Sequence, residues 1–336
     1  MLLSSKVVSI ILPVFNASKF LKEAIDSILS QSYTDYELII INDGSTDNSK
    51  DIIQNYKDSR IRYFSQENSG VASTLNKGIS LANGKYVWRH DADDISLPDK
   101  LEKQVNFLLA NPEYDLCATQ IAFMTESGKI AHKFKMPNDS LFKNEFLHVD
   151  RCQFNPYSPI IHATVLVRTS SLQKLGGFRE DFITSEDIDL WLRLLEHSNL
   201  GVIQEVLYYV RINSKSATQV HGWKNRFFKE KAFEYYEMRI SGLKDDLELG
   251  KSIVVPNENP YTNEIHFKTG RFFNEGLIHF LIPLYLDAKD YSMAIQGIKK
   301  YFMDGWKLKS TWKSLLLFAI GKRLTGLLVN LKSFTK

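Results

Sequence analysis

VVSIILPVFNASKFLKEAIDSILSQ (residues 7–31) changes period in its middle, and that change decides the fold. Residues 7–15 form an apolar, β-branched run ending around Pro13, the pattern of a strand covered on both faces. Residues 18–31 instead place Phe20, Leu21, Ala24, Ile25, Ile28 and Leu29 at helical spacing, with Ser18 as the expected N-cap. The alternation continues outward. YELIIINDGS (36–45) reads as a second strand and STDNSKDIIQNYKD (45–58) as a helix capped by Ser45 or Thr46. RIRYFSQ (60–66) and GVASTLNKGISLANG (70–84) repeat the pair, and KYVWRH (85–90) is a fourth strand. Strands and helices alternating over such short connections imply right-handed parallel βαβ units. An open sheet of that kind binds ligands beyond the carboxyl ends of its strands.

Three polar clusters fall at those ends: Pro13–Asn16, Asp43-Gly44-Ser45, and HDADD with Asp91, Asp93 and Asp94. Three carboxylates within four positions repel one another. Either water solvates them as an acidic turn, or a hard divalent cation such as Mg²⁺ or Mn²⁺ completes them together with phosphate oxygens. The D-x-D spacing puts Asp91 and Asp93 on one side of an extended segment, and alternation points His90 the other way. A second acidic cluster, SEDIDLW (185–191), opens a helix whose stripe is Ile188, Leu190, Trp191, Leu194 and Leu195. The helix dipole alone favours Glu186 and Asp187 in a first turn. A carboxylate there that faces the crevice is also a general base for an attacking hydroxyl. Asp189 is expected to face away or cap locally. His162, at the start of HATVLVR (162–168), is the other histidine within reach of such a crevice.

Beyond residue 115 the pattern loosens, with strands expected at 114–124, 162–168 and 201–212. Past Ser214 the chain reads as almost wholly helical, which suggests a boundary near 213–220 and a pair of short antiparallel helices within 278–302. With 44% apolar and 24% charged residues in 336, the composition is that of a globular protein. Two cysteines, Cys117 and Cys152, are too few for a disulfide framework or a zinc module and suit a reducing compartment. No signal-peptide pattern opens the sequence and no apolar run reaches the ~18 residues of a spanning helix. Net charge is +3, and seven basic residues from Lys307 to Lys336 face Asp304 alone, so the excess lies in the tail.

The order VVSIILPVFN, IINDGSTDNS, ENSGVASTLNKGI, WRHDADDISLPDKL, GGF, SEDIDLWLR resembles the nucleotide-sugar glycosyltransferases of family two, which have a GT-A fold, over residues 6–212. The resemblance implies an α/β fold: a Rossmann-like, mostly parallel sheet flanked by helices, followed by a mainly α-helical C-terminal region. It divides the chain into a transferase domain, 1–215, with a donor-binding half at 6–115 and an acceptor half at 116–215, and a helical region at 216–336. It further implies that Pro13 and Phe15 line the base and ribose pocket and that Asp43 hydrogen-bonds the nucleobase, favouring uridine. Asn68, Gly70 and Asn76 would flank the nucleotide, although Leu75 stands where family members often carry arginine. Asp91 would meet the ribose, Asp91 and Asp93 the metal, and Asp94 the donor, or the metal if the register is shifted by one. Asp187 would be the catalytic base of an inverting reaction, with Glu186 and His162 on the acceptor side.

The resemblance thus implies a metal-dependent inverting glycosyltransferase. It would use a divalent cation (Mn²⁺ or Mg²⁺) to move sugar from a nucleotide-sugar, a UDP-sugar by preference, onto a saccharide or lipid-linked saccharide in surface polysaccharide biosynthesis. A sugar-nucleotide pyrophosphorylase would need a glycine-rich, basic loop where this chain has PVFNASKF. A catalytically inactive nucleotide- or glycan-binding module within a membrane complex is the alternative that the carboxylates speak against. In the tail, residues 306–336, Leu308, Trp312, Leu315, Leu316, Ala319 and Ile320 recur at three- and four-residue steps among lysines. This fits an amphipathic helix on an anionic membrane surface, and equally a terminal helix packed on its own domain. No nucleic-acid recognition motif accompanies the charge. The expected location is cytoplasmic, peripheral at the inner face of the cell membrane.

Overall fold

Strands β1 (Val8–Val14), β2 (Tyr36–Asp43), β3 (Ile61–Gln66) and β4 (Tyr86–Arg89) run parallel in the spatial order β3-β2-β1-β4. Helices α1 (Leu21–Leu29), α2 (Ser49–Gln54) and α3 (Val71–Leu81) connect them in sequence. The computed structural model describes residues 7–131, 145–154, 158–212, 222–261 and 282–294. Alternation along each strand feeds two cores. Ile10, Leu12, Leu38, Ile40 and Trp88 pack with Leu21 and Ile25 of α1, while Ile11 and Val87 meet Leu75 and Ile79 of α3 on the opposite face.

The sheet continues past β4 with β5 (Ile95–Ser96), α4 (Lys100–Ala110), β6 (Tyr114–Met124), β7 (Ile130–Ala131), β8 (Phe146–Val149), β9 (Leu166–Arg168), α5 (Thr169–Lys174), α6 (Glu186–Leu195) and β10 (Asn199–Arg211). The full order is β3-β2-β1-β4-β9-β6-β10-β5, with β7 on β6 and β8 on β10. β9 is antiparallel to both β4 and β6, β10 resumes parallel to β6, and β5 closes the order antiparallel to β10. The carboxyl ends of β1, β2, β4, β6 and β10 therefore share one edge.

Several local expectations are corrected. HATVLVR is a 3₁₀ turn at His162–Thr164 and a strand only from Leu166. α1 starts at Leu21 with Phe20 in the cap position, while the Ser18 N–H donates to Asp47 Oδ2 at 2.9 Å. α2 starts at Ser49 with Asn48 before it, since Ser45 and Thr46 bond across to the β1–α1 loop. Helix α4, which the sequence pattern did not single out, follows Pro98 and buries Leu101, Val105 and Leu108 at helical spacing.

The chain divides into two compact units, Met1–Pro260 and Tyr261–Lys336. Helix α7 (Trp223–Ile240) belongs to the first and packs on α6. In the second, α8 (Ile282–Asp287) is described. The stretch at 213–221, residues 278–281 and 295–302 of the expected helix pair and the whole basic tail lie outside the described residues. Among the described residues no helix is long and apolar enough to cross a membrane.

Candidate active site

The lip of the sheet edge is laced by the polar residues after β2. Asn16, in the left-handed region at φ 49°, accepts the Thr46 N–H on its Oδ1 at 2.8 Å and donates its own N–H to Ser45 Oγ at 3.0 Å. Ala17 N–H donates to Ser49 Oγ at 3.0 Å. Burial would raise the Asp47 carboxyl, but hydrogen bonds from Ser49 and Ser18 outweigh it and hold the pKa at about 2. Pro13 is half-buried in this lip and Phe15 is 54% exposed beside it.

Asp43 ends β2 and is buried, so its charge must be met by protein donors. Its Oδ1 accepts from Gln66 Nε2 (2.8 Å), Ser69 N (2.9 Å) and Ser69 Oγ (3.2 Å), and its Oδ2 accepts from Gly70 N (3.1 Å). Asn68 donates its amide to the Asp43 carbonyl at 3.1 Å. Gly44 lies at φ +75°, where a Cβ would stand 2.8 Å from the Asn68 nitrogen, so the Asp-Gly pair is what lets the two loops approach. Asp43, Asn68 and Gly70, three expected donor-site residues, are thus one hydrogen-bonded unit at the start of α3.

Asn76 is corrected. Both faces of its amide are taken by the Phe178 backbone, donating to the carbonyl and accepting from the N–H at 2.8 Å each. It pins the GGF turn to α3. Gly177, at φ +74°, would put a Cβ 2.3 Å from Asn76 Oδ1, which explains the second glycine of that turn.

The three acidic-loop aspartates have three different environments. Asp91 is gripped in parallel by the Arg89 guanidinium, at 2.7 and 2.8 Å. Asp94 is buried and accepts the Arg211 N–H at 2.8 Å. Its carboxyl is pushed well above the usual range by burial, then by Asp91 and Asp93. Asp93 is raised to about 6, by burial and then by Asp91. The loop is fixed from beneath by side chains that sequence reasoning missed. Tyr208 Oη accepts the Asp91 N–H at 3.1 Å. Arg211 donates to the Asp93 carbonyl (2.8 Å) and to Glu23 (2.7 Å). Buried Lys100 sits between the Trp88 and Tyr208 rings at 4.2 and 4.4 Å. A charged residue ending a buried strand was the available signal for Arg89; nothing in the sequence marked Tyr208. His90 points away as expected, buried against Trp88 and Tyr208 with its Nδ1–H on the Asp91 carbonyl at 2.7 Å.

The charge of Arg89 acts on the second acidic cluster as well as on the first. Glu186, buried, has its carboxyl raised to about 7 by burial and by Asp187, against the pull of Arg89. Asp187 is raised by burial, opposed by the Ile188 N–H that donates to its Oδ1 at 2.9 Å, by Arg89 and by Lys229. His162 Nδ1 lies 3.7 Å from Glu186, and burial and then Arg89 keep its ring neutral. Ser185, left-handed at φ 59°, turns the chain into α6 so that both acids head its first turn. Asp189 faces away, fully buried on Arg193 at 2.9 Å.

Among the described residues no group of three or more acidic, histidine or cysteine side chains is arranged to hold a metal by itself. Asp91 is paired with Arg89 and Asp94 accepts the Arg211 N–H, and both carboxylates keep acceptor sites beyond these bonds. Asp93, a carboxylate raised by burial and then by Asp91, suits a hard cation that draws its remaining oxygens from phosphate and water.

An aspartate cradle, an acidic loop and a half-buried acidic pair, all on the carboxyl edge of a mostly parallel sheet, define a nucleotide-sugar transferase of the GT-A fold. The chain belongs to glycosyl transferase family 2, whose model matches residues 9–176, and it is a glycosyltransferase. It is 32% identical over 238 residues to an uncharacterized glycosyltransferase, MJ1057, of Methanocaldococcus jannaschii, covering 69% of this chain and 78% of that one. Its fold is similar to S. aureus TarS 1–349 in complex with UDP-GlcNAc, with TM-score 0.56, 18% identity and coverage of 88% and 80% of the two chains. It is also similar to the mannosyltransferase PcManGT of Pyrobaculum calidifontis in complex with GDP-Man and Mn²⁺, with TM-score 0.51, 17% identity and coverage of 95% and 80%.

Proposed function

We propose that this glycosyltransferase uses a UDP-sugar and a divalent cation, and inverts the anomeric centre as it passes the sugar to a hydroxyl of a saccharide or lipid-linked saccharide in surface polysaccharide synthesis. The observation that carries the chemistry is the buried Arg89 guanidinium, hydrogen-bonded to Asp91, whose charge also acts on Glu186 and Asp187 at the head of α6. It supports a donor-side carboxylate and an acceptor-side base lining one crevice. The Asp43 cradle supports a uracil partner: Oδ2 accepts one bond among the described residues and retains acceptor capacity for a base N–H. The UDP-GlcNAc in TarS supports a uridine donor, and the Mn²⁺ in PcManGT supports a cation.

Phe15 offers an exposed ring to the base, and Asp91, oriented by Arg89 and Tyr208, offers an acceptor to a ribose hydroxyl. Asp93 would hold the cation, which when bound neutralises charge on the departing nucleoside diphosphate. Asp187 takes the proton of the acceptor hydroxyl as it attacks the anomeric carbon from the face opposite the diphosphate. Its neighbour Glu186 has its carboxyl raised to about 7, by burial first and then by Asp187. A peripheral position at the inner face of the membrane, where lipid-linked acceptors are held, suits the basic amphipathic pattern of residues 306–336.

Calorimetric titration of the full chain with a panel of nucleoside diphosphates, with and without Mn²⁺, tests the donor assignment. UDP is expected to bind in a Mn²⁺-dependent manner, and Asp93→Ala to lower that affinity at least tenfold without changing the metal-free baseline. Metal-independent UDP binding untouched by Asp93→Ala removes the role given to Asp93, and preference for GDP removes the uridine reading.

A further inference from the structure

Arg211, the last residue of β10, is buried at the foot of the acidic loop and lies beyond the segment matched by the family model. Its Nε donates to the Asp93 carbonyl at 2.8 Å, and its own N–H donates to Asp94 Oδ1 at 2.8 Å. Side chain and main chain together thus hold both residues of the 93–94 pair. Nη2 donates to Glu23 Oε2 of α1 at 2.7 Å, while Nη1 reaches the Glu126 and Thr125 carbonyls after β6 at 3.2 and 3.4 Å. The guanidinium carbon stands 4.3 Å from the centroid of the Phe20 ring, at the cap of α1. One planar group joins the acidic loop, the head of α1 and the turn between β6 and β7. That geometry needs arginine: a guanidinium presents five N–H donors in fixed directions, whereas an ammonium is a point donor that cannot face Asp93 and Glu23 at once.

We propose that Arg211 is a positioning residue for the cation: it fixes the main chain at Asp93, and Glu23 anchors the fork from α1. This rests on Asp93 holding the cation. The acidic loop needs restraint because Asp91, Asp93 and Asp94 repel one another. Arg89 and Tyr208 hold the Asp91 end, and Arg211 holds the other. Burying a guanidinium is costly unless it is paired, and the half-exposed carboxylate of Glu23 supplies the opposite charge. A loop that leaves its binding position part of the time loses apparent affinity in proportion. Loosening the fork should therefore weaken the cation's hold without touching the Asp43 cradle.

Calorimetric titration with UDP, with and without Mn²⁺, tests this in full-length Arg211→Lys and Glu23→Ala. The readout is the factor by which Mn²⁺ tightens UDP binding. Arg211→Lys keeps the charge and loses the fork, so that factor is expected to fall about tenfold, as for one lost hydrogen bond to a charged group. The metal-free UDP affinity should stay put. Glu23→Ala leaves Arg211 in place without its anchor and should lower the factor in the same direction. General support of the site would instead lower the metal-free and metal-loaded affinities together and leave the factor intact. That result, or an unchanged factor in both variants, overturns the proposal while leaving Asp93 as the cation's residue. A factor that survives Asp93→Ala defeats the cation assignment itself, whatever Arg211 does.

Discussion

Asp187→Asn is expected to lose about 10²–10⁴-fold in kcat while binding UDP as tightly as the parent protein, because a general base contributes roughly that much and touches only the acceptor. The substitution is close to isosteric, and the amide retains the oxygen that accepts the Ile188 N–H at 2.9 Å, so α6 keeps its first turn. Only the basicity disappears. The pH dependence gives a second signature. The base works deprotonated, and burial raises its pKa above the ordinary aspartate value, so activity falls as pH drops through that raised pKa. Glu186 is lifted to about 7 first by burial and next by the Asp187 charge. Removing that charge lets Glu186 ionise at lower pH, so the Glu186 midpoint should drop in Asp187→Asn, as ¹³C-carboxyl-labelled glutamate would show. Glu186→Gln, by contrast, is expected to remain within about tenfold of the parent, because Asp187 stays available as the base. Asp187→Asn turning over within tenfold of the parent would rule this assignment out.

Much of the donor half was legible because its strands are covered on both faces. An apolar run such as residues 7–15 has few other interpretations, and the polar residues that end each run must then sit at the sheet edge. Asp43 and the acidic loop were located that way. The partners were not, because they come from far along the chain: Tyr208 reaches Asp91 and Arg211 reaches Asp94 across 117 residues each. The setting of Asn76 was hidden for a related reason: the Phe178 backbone that its amide bonds lies 102 residues on. β9 was read as a strand from His162, but three residues of apolar alternation do not reveal that the first part is a 3₁₀ turn. Nor do they reveal that the strand runs against its neighbours. The separate fates of Asp91, Asp93 and Asp94 were equally hidden, since identical side chains differ only in what surrounds them.

Asp189, two residues from the base on the same helix, carries the largest expected effect on stability. It is fully buried and receives Arg193 Nε at 2.9 Å, with Arg179 at 3.5 Å. Arg193 in turn donates to the Leu175 carbonyl (2.9 Å) and the Gly177 carbonyl (2.8 Å), so it holds the GGF turn against α6. Arg179 passes the network to buried Asp245 at 2.7 Å, and Asp245 also takes Arg239 of α7, which pairs with Glu196 at 2.8 Å. Three guanidinium groups meet three carboxylates, and the interior is neutral as long as none is missing. Truncating one partner of a buried pair leaves an uncompensated charge and costs about 3–5 kcal/mol. Asp189→Ala should therefore lower the thermal midpoint by roughly 2–4 °C for each kcal/mol lost. The matched variant Arg193→Met with Asp189→Leu removes both charges and should recover part of that loss, because well-packed apolar residues often replace a buried pair at little cost. Calorimetric scans of the two variants decide the matter. An Asp189→Ala midpoint within about 2 °C of the parent would mean that water or a shifted side chain neutralises Arg193, and the platform beneath Glu186 and Asp187 would then have to be rigid for some other reason.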